Sequence, residues 1–452
     1  MPHRKFESKG VAVPSGRFSR LARFGGMAGG IAGGMLLDGA KQLAKGKRPS
    51  VSDLLLTPAN ALKVTTQLAQ LRGAAMKVGQ LMSMDAGDML PPEMAEILGR
   101  LRSDAQHMPQ SQLKAALNAH WGVGWQKKFA EFSFAPIAAA SIGQVHRAKT
   151  LDGRDLAIKI QYPGVRHSID SDVNNVASLM KLSGVLPKTL NIAPMLAEAK
   201  RELHQEADYK REGEYLHRFA GLLADSAEFL VPKLHPDLTT LSVLAMDYVE
   251  GVPVESLVDA PQEERDRLMT LLVGLLFREL FEFKLMQTDP NFANYRYNTT
   301  TKQLVLLDFG ATREFPAEMP QDYRRLMNAG LAGDREAARQ AMIDISFFTK
   351  DTPAHYQSAV MDMFELSLDP LREDAPFDFG STDIALRLRD GGMAIGQERT
   401  LWHIPPMDTL FLQRKFGGIY MLASRLKARV NVHALMMPYL TSAPADAPTV
   451  QK

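Results

Sequence analysis

The chain has 452 residues, 45% apolar and 23% charged, an ordinary globular composition with length for two or three domains' worth of core. It contains no cysteine, which excludes disulfides, thiolate nucleophiles, iron–sulfur clusters and the usual structural zinc sites. Net charge is 53 − 51 = +2, so the chain as a whole has no nucleic-acid signature, and no pair of its histidines has metal-ligand spacing.

Residues 1–50 stand apart. Arg4, Lys5, Lys9, Arg17, Arg20, Arg23, Lys41, Lys45, Lys47 and Arg48 face only Glu7 and Asp38. The segment therefore carries +8, and the remainder 2 − 8 = −6. Its apolar stretch, FGGMAGGIAGGMLL at 24–37, is too short to span a bilayer and too glycine-rich for a stable isolated helix. No run of about 20 apolar residues and no signal-peptide pattern occurs elsewhere, so no spanning helix is expected. Basic residues around such a stretch suit an anionic membrane surface, each near-surface charge contributing roughly 1 kcal/mol. Gly26, Gly30 and Gly34 form a small-residue row able to pack helix on helix. A solvated basic tail with a flexible glycine segment fits the same residues.

Thr57-Pro58 reads as a helix start, with a hydroxyl N-cap and proline at the first position. Val64, Leu68, Leu71, Ala75, Val78 and Met82 follow as one apolar stripe of a long helix. Further helices are expected after Pro91-Pro92 and over 112–120. Residues 141–149 and 155–160 read as strands around an Asp152-Gly153 turn, a strong hairpin signal. One long helix is expected over 194–222, a strand over 241–245 and a helix over 263–283. Short strands at 295–297 and 304–307 flank the polar turn Asn298-Thr299-Thr300-Thr301. The chain beyond about 320 reads as helical to near 440, ending in a loose tail.

Three segments carry chemistry. Leu156-Ala-Ile-Lys159 ends a strand; protein kinases place a lysine there to grip the α- and β-phosphates, held by a helix glutamate. A carboxylate-rich stretch follows, with Glu202, Glu206, Asp208, Glu212 and Glu214. Taken alone, Lys159 also fits an exposed strand residue, and the carboxylates a solvated face. Next comes Gln287-Thr-Asp289-Pro-Asn-Phe-Ala-Asn294. An Asp with an Asn five residues on is the kinase catalytic-loop spacing, the Asp serving the acceptor and the Asn a metal. Then Leu306-Leu-Asp308-Phe-Gly310 closes a short apolar strand and puts a carboxylate where kinases hold magnesium. Asp308 and the amide oxygen of Asn294 are hard donors of the kind Mg²⁺ takes beside phosphate oxygens. Met246-Asp247-Tyr-Val249 follows a strand, as the linker between kinase lobes does, so backbone groups of Asp247 and Val249 are expected to meet adenine. No G-x-G-x-x-G precedes the lysine strand; Pro136-Ile-Ala138-Ala139-Ala140-Ser141 occupies its place. No Ala-Pro-Glu follows Asp-Phe-Gly, and without a long activation segment there is little platform for a peptide substrate.

Lys77-Val-Gly-Gln80, the Ala138-Ala139-Ala140-Ser141 loop, Glu206-Ala-Asp208-Tyr-Lys-Arg-Glu212 and the short activation segment together resemble the UbiB family of atypical kinases. The likeness covers about residues 16–435. The Gln-Thr-Asp-Pro-Asn loop, Leu-Asp-Phe-Gly-Ala-Thr-Arg-Glu and the glycine-rich leader resemble the mitochondrial coenzyme Q branch more than the plain bacterial one. That bacterial branch usually has His before the catalytic Asp and two C-terminal spanning helices.

The resemblance implies an α+β, two-lobed protein-kinase-like fold with a helical N-terminal extension over the active-site cleft. The expected divisions are a membrane-associating leader (1–50), the extension (51–130), a small lobe (131–248), a helical large lobe (249–440) and a tail (441–452). It implies ATP and Mg²⁺ as cofactors and a role in ubiquinone biosynthesis. It assigns Lys77 and Gln80 to a helix folding over the active site, pairs Lys77 with Glu206 and Asp208, and pairs Lys159 with Glu212. Glu206 and Glu212, six apart, would stand about 120° apart on one helix, so one can reach Lys159 while the other faces elsewhere. Alanines restrict the close approach to phosphate that glycines allow, and the likeness implies altered nucleotide selectivity and suppressed kinase activity. Implied partners are an anionic membrane, quinone-precursor lipids, ubiquinone-biosynthesis enzymes and a second copy of the chain. The implied place is the cytoplasmic face of a bacterial membrane, or alternatively a mitochondrion. An ATPase handling a lipid-like quinone precursor is the favoured activity. A small-molecule kinase for a phenolic or prenyl acceptor and a nucleotide-sensing scaffold are the alternatives.

Overall fold

A computed structural model describes residues 73, 74, 77, 78, 107–182, 192–397 and 405–441. The leader, the tail, Gln80 and most of the expected N-terminal helices lie outside the described residues. Gly73, Ala74, Lys77 and Val78 are helical, and the last three are buried.

In chain order the first elements are α1 (Gln110–Trp121), β1 (Phe129–Phe132), β2 (Ala138–Ala139), β3 (Gly143–Thr150), β4 (Asp155–Gln161), α2 (Val165–Leu182), α3 (Ala193–Glu206), α4 (Tyr209–Leu222), β5 (Phe229–Leu230) and β6 (Val243–Asp247). After β7 (Val252–Pro253), α5 (Gln262–Phe277) continues as a π-helical turn over Arg278–Phe283. Then come β8 (Leu285–Gln287), β9 (Tyr295–Asn298), β10 (Gln303–Leu306), β11 (Thr312–Glu314), α6 (Met319–Leu331), α7 (Arg335–Asp344), α8 (Ala354–Ser367), α9 (Asp369–Arg372), β12 (Phe377–Asp378), α10 (Ile384–Gln397), α11 (Met407–Leu426), β13 (Arg429–Val430) and α12 (Val432–Thr441).

The chain divides into two compact units. The first takes the described residues through His217 together with Pro232–Val249; the second takes Arg218–Val231 and the chain from Glu250 onward.

The first unit is built on an antiparallel sheet ordered β1-β3-β4-β6, with β2 paired to β3. Alternation along β4 decides its chemistry. Leu156, Ile158 and Ile160 enter a core with Leu113, Leu117, Trp125, Phe129 and Val243, so Ala157, Lys159 and Gln161 take the opposite face. Gly143 is required where β3 approaches β4, since a Cβ there would stand 2.4 Å from the Ile160 carbonyl oxygen.

The helix expected over 194–222 is two helices. Gln161 Nε2 donates to the Ala207 carbonyl at the break (2.8 Å). Asp208 then starts α4, its side chain accepting from the Arg211 amide (3.2 Å). An acidic residue with a short side chain competes for backbone amides and favours such a cap over a helix interior. The helix α2 had no counterpart in the sequence reading.

The second unit holds a four-stranded sheet ordered β5-β10-β9-β7 and the pair β8–β11. The helix expected over 263–283 changes to π-type at Arg278. Beyond residue 320 the described chain is helical as expected, except for the two-residue strands β12 and β13. Among the described residues no helix is long and apolar enough to cross a membrane.

Candidate active site

In the first unit, Lys159 Nζ donates to both carboxylate oxygens of Glu212, at 2.7 and 3.0 Å. Lys159 is 8% exposed and Glu212 1%. A buried cation with a bidentate counter-charge is costly to desolvate and is held in one place once formed. The Tyr209 ring adds a face 5.1 Å from the ammonium.

Lys77 pairs with Glu202 at 3.2 Å and makes a close contact with Glu206. Ser141 Oγ donates to the other oxygen of Glu206 (3.1 Å), so the alanine loop is joined to Lys77 through one carboxylate. Ala138 and Ala139 are paired to Val145 and Gln144 of β3, and the Ala140 amide donates to the Gly143 carbonyl (2.9 Å). Ala138 and Ala139 are thus an exposed strand, and Ala140 and Ser141 lie in the turn that leads into β3.

Two expectations need correction. Asp208 caps α4 and is not the second partner of Lys77; Glu202, one turn before Glu206 on α3, takes that place. Glu206 and Glu212 lie on different helices, α3 and α4, so the 120° separation expected on one helix does not apply. The Asp247 amide donates to the Lys233 carbonyl (3.0 Å). Its side chain is held by His235 Nε2 at 2.7 Å.

In the second unit, Asp289, Asn294 and Asp308 are brought together by short links. Asn291 caps a 3₁₀ turn over Phe292–Asn294, which turns Asn294 Nδ2 back to Asp289 Oδ2 (3.3 Å). The Leu307 amide donates to the Asn294 carbonyl (3.1 Å), placing Asp308 beside the loop. Asp308 Oδ1 accepts from the Gly310 amide (3.0 Å). Phe309 is buried against Phe219, ring centroids 4.8 Å apart, which fixes the turn bearing Asp308. Thr288 donates through its amide and its hydroxyl to the Ala311 carbonyl.

The Asn294 amide nitrogen is spent on Asp289, so its oxygen is the donor left to a cation. Together with the Asp308 carboxylate it would supply the hard, incomplete oxygen set that suits magnesium carried on phosphates. Among the described residues no cluster of three or more His, Asp or Glu could hold a metal by itself.

Three further residues belong to this site that the motifs do not include. Arg414 Nη2 donates to Asp289 Oδ1 (2.9 Å). Lys415 and Glu279 lie fully buried beneath the same loop. Burial pushes the Glu279 carboxyl up to about 7, against the pull of Lys415. The signal was present in the sequence: Lys415 falls on the same stripe of α11 as Phe411, Ile419 and Leu422, where an unpartnered lysine has no place.

The chain matches the model of the ABC1 atypical kinase-like domain over residues 100–342. It is 38% identical over 425 residues to "Atypical kinase COQ8, mitochondrial" of Saccharomyces cerevisiae, covering 94% of this chain and 84% of that one. Against "Atypical kinase COQ8B, mitochondrial" of Danio rerio it is 37% identical over 429 residues, covering 94% and 68%. In fold it resembles the solved structure of Rv3197 with erythromycin from Mycobacterium tuberculosis. The TM-score is 0.60 at 24% identity, covering 85% of this chain and 97% of that one. The α+β fold is protein-kinase-like, and the chain belongs to the ABC1, or UbiB, family of atypical kinases, alongside the COQ8 proteins.

Proposed function

We propose that the chain is a Mg-ATP-dependent atypical kinase or ATPase supporting ubiquinone biosynthesis at a membrane, its hydrolysis coupled to the handling of lipid-like quinone precursors. The observation that carries this reading is the buried Lys159–Glu212 pair, the arrangement kinases use to hold the α- and β-phosphates. The kinship with proteins named atypical kinase COQ8 supports the same reading. Magnesium, when bound with ATP, neutralises phosphate charge, and Asp308 and Asn294 are the residues that would hold it. Asp289 shares its charge with Arg414 and accepts from Asn294, which suits a carboxylate that orients the acceptor, water or a hydroxyl, rather than one freely exposed. The alanine strand and the pair Lys77–Glu206 are the proposed regulatory parts, with an anionic membrane as the surface on which the protein works.

The test is Mg-ATP hydrolysis by the full-length chain, with and without anionic liposomes and a prenylated phenol, beside Asp289→Asn and Asp308→Asn. Turnover should rise with lipid or phenol and fall in Asp289→Asn by roughly 10²–10⁴-fold. A phosphorylated phenol would make the protein a small-molecule kinase. Nucleotide binding with no turnover above the variants would overturn the enzymatic reading in favour of a scaffold.

A further inference from the structure

Lys415 lies on α11, far from the motif residues in sequence, yet it meets the catalytic-loop segment at three oxygens. Its ammonium donates to the Gln287 carbonyl (2.6 Å), to Gln287 Oε1 (3.1 Å) and to the Tyr295 hydroxyl (2.6 Å). Those are all the donors a lysine has. Glu279 Oε2 stands 3.6 Å away as counter-charge, and Glu279 Oε1 accepts from the Gln287 amide (3.2 Å). The π-helical turn carries Glu279 to this position; such turns are frequent at functional sites. Gln287 and Tyr295 bracket the loop bearing Asp289 and Asn294, so both of its ends are tied to one buried ammonium.

Two further features tie α11 to the loop. Arg414, next in sequence, pairs with Asp289. Gly418, one turn on, lies so close that a Cβ would stand 2.2 Å from Pro290 Cβ. A buried ion pair seldom stabilises more than apolar residues of the same size, so filling space does not account for this one. What it supplies is direction, since three fixed hydrogen bonds allow the loop one geometry.

We propose that Lys415, with Glu279 as its counter-charge, is a positioning residue that sets the Gln287–Tyr295 loop so that Asp289 and Asn294 face the reaction. The inference rests on the reading of those two residues given above.

The test compares Lys415→Met, Glu279→Gln and the double variant in the full-length chain. Four quantities are read: ATP turnover, the ATP dissociation constant in EDTA, the melting temperature, and hydrogen exchange over 287–295. Lys415→Met should lower turnover about 10- to 100-fold, as a small misplacement of reacting groups does. Its loop amides should exchange faster, with ATP binding in EDTA unchanged. The double variant has no uncompensated charge and should recover melting temperature without recovering turnover. A merely structural pair predicts that both recover together, and that result, or unchanged loop exchange in Lys415→Met, overturns the proposal. Undiminished turnover in Asp289→Asn would instead sink the reading of the site, while loop exchange would still report whether Lys415 holds the loop.

Discussion

His146 lies on β3 at the centre of the first unit, fully buried. The Met108 amide donates to Gln144 Oε1 at 2.9 Å, which turns Gln144 Nε2 toward His146 Nε2 at 2.7 Å. Nε2 therefore accepts, and Nδ1–H donates to the Ser133 carbonyl at 2.8 Å. This tautomer has no place for a second proton. Burial pushes the imidazole from 6.5 down to about 4, the Ser133 carbonyl opposing and His107 assisting. The sign follows from linkage. Between about pH 4 and 6.5 the unfolded chain binds the proton and the folded one does not, so stability is full above 6.5 and falls as pH drops through that window. At about 1.4 kcal/mol per unit the loss approaches roughly 3 kcal/mol. Denaturant midpoints across pH 4–7 should show this slope in the wild type and a flatter one in His146→Phe; equal slopes would remove His146 from the account. At this scale the sequence exposed the residues whose spacing is local, such as Asp289 with Asn294. It hid the pairing of distant partners: the stripe of α11 marks Lys415 as a buried cation, but its counter-charge Glu279 lies 136 positions earlier, and no local pattern joins the two.

Element boundaries show the same division. The hairpin β3–β4 was legible because alternation and Asp152-Gly153 agree. The single helix over 194–222 was not, because periodicity continues across Ala207 and only the capping of α4 by Asp208 reveals the break. Helix α2 was missed because Ser168, Asp170, Ser171, Asp172, Asn174 and Asn175 are poor helix formers. Yet Ile169, Val173 and Val176 bury one face, and packing overrides propensity. The two glycines of α11 offer a paired test of how that helix meets the loop. At Gly417 a Cβ would meet nothing within 4 Å, so Gly417→Ala should stabilise by up to about 1 kcal/mol through helix propensity alone, with turnover unchanged. Gly418→Ala gains the same propensity but drives a methyl into Pro290, so turnover should fall by about tenfold or more as Asp289 moves. Melting curves and hydrolysis rates decide it. Equal behaviour of the two variants would show that α11 does not approach the loop as closely as the structure has it.

For the whole molecule the decisive quantity is how charge is divided along the chain. The first fifty residues carry +8 and the remainder −6. A body of net negative charge is repelled by anionic lipid, so the membrane association proposed above would come from the leader, whose ten cations would contribute roughly 1 kcal/mol each near such a surface. None of the described helices can supply the alternative of a span. Full-length protein should therefore sediment with vesicles containing phosphatidylserine, and not with purely zwitterionic ones. Binding should weaken as salt shortens the Debye length from about 10 Å at 0.1 M to about 3 Å at 1 M. A chain beginning at residue 51 should lose both the binding and any stimulation of ATP hydrolysis by anionic vesicles. Its basal hydrolysis should persist, because Lys159, Asp289, Asn294 and Asp308 all lie beyond the cut. If the shortened chain bound vesicles as tightly as the full one, the leader would be a solvated tail, and the membrane contact would have to be sought among the exposed apolar residues of the body, such as Val123, Leu151 and Met421.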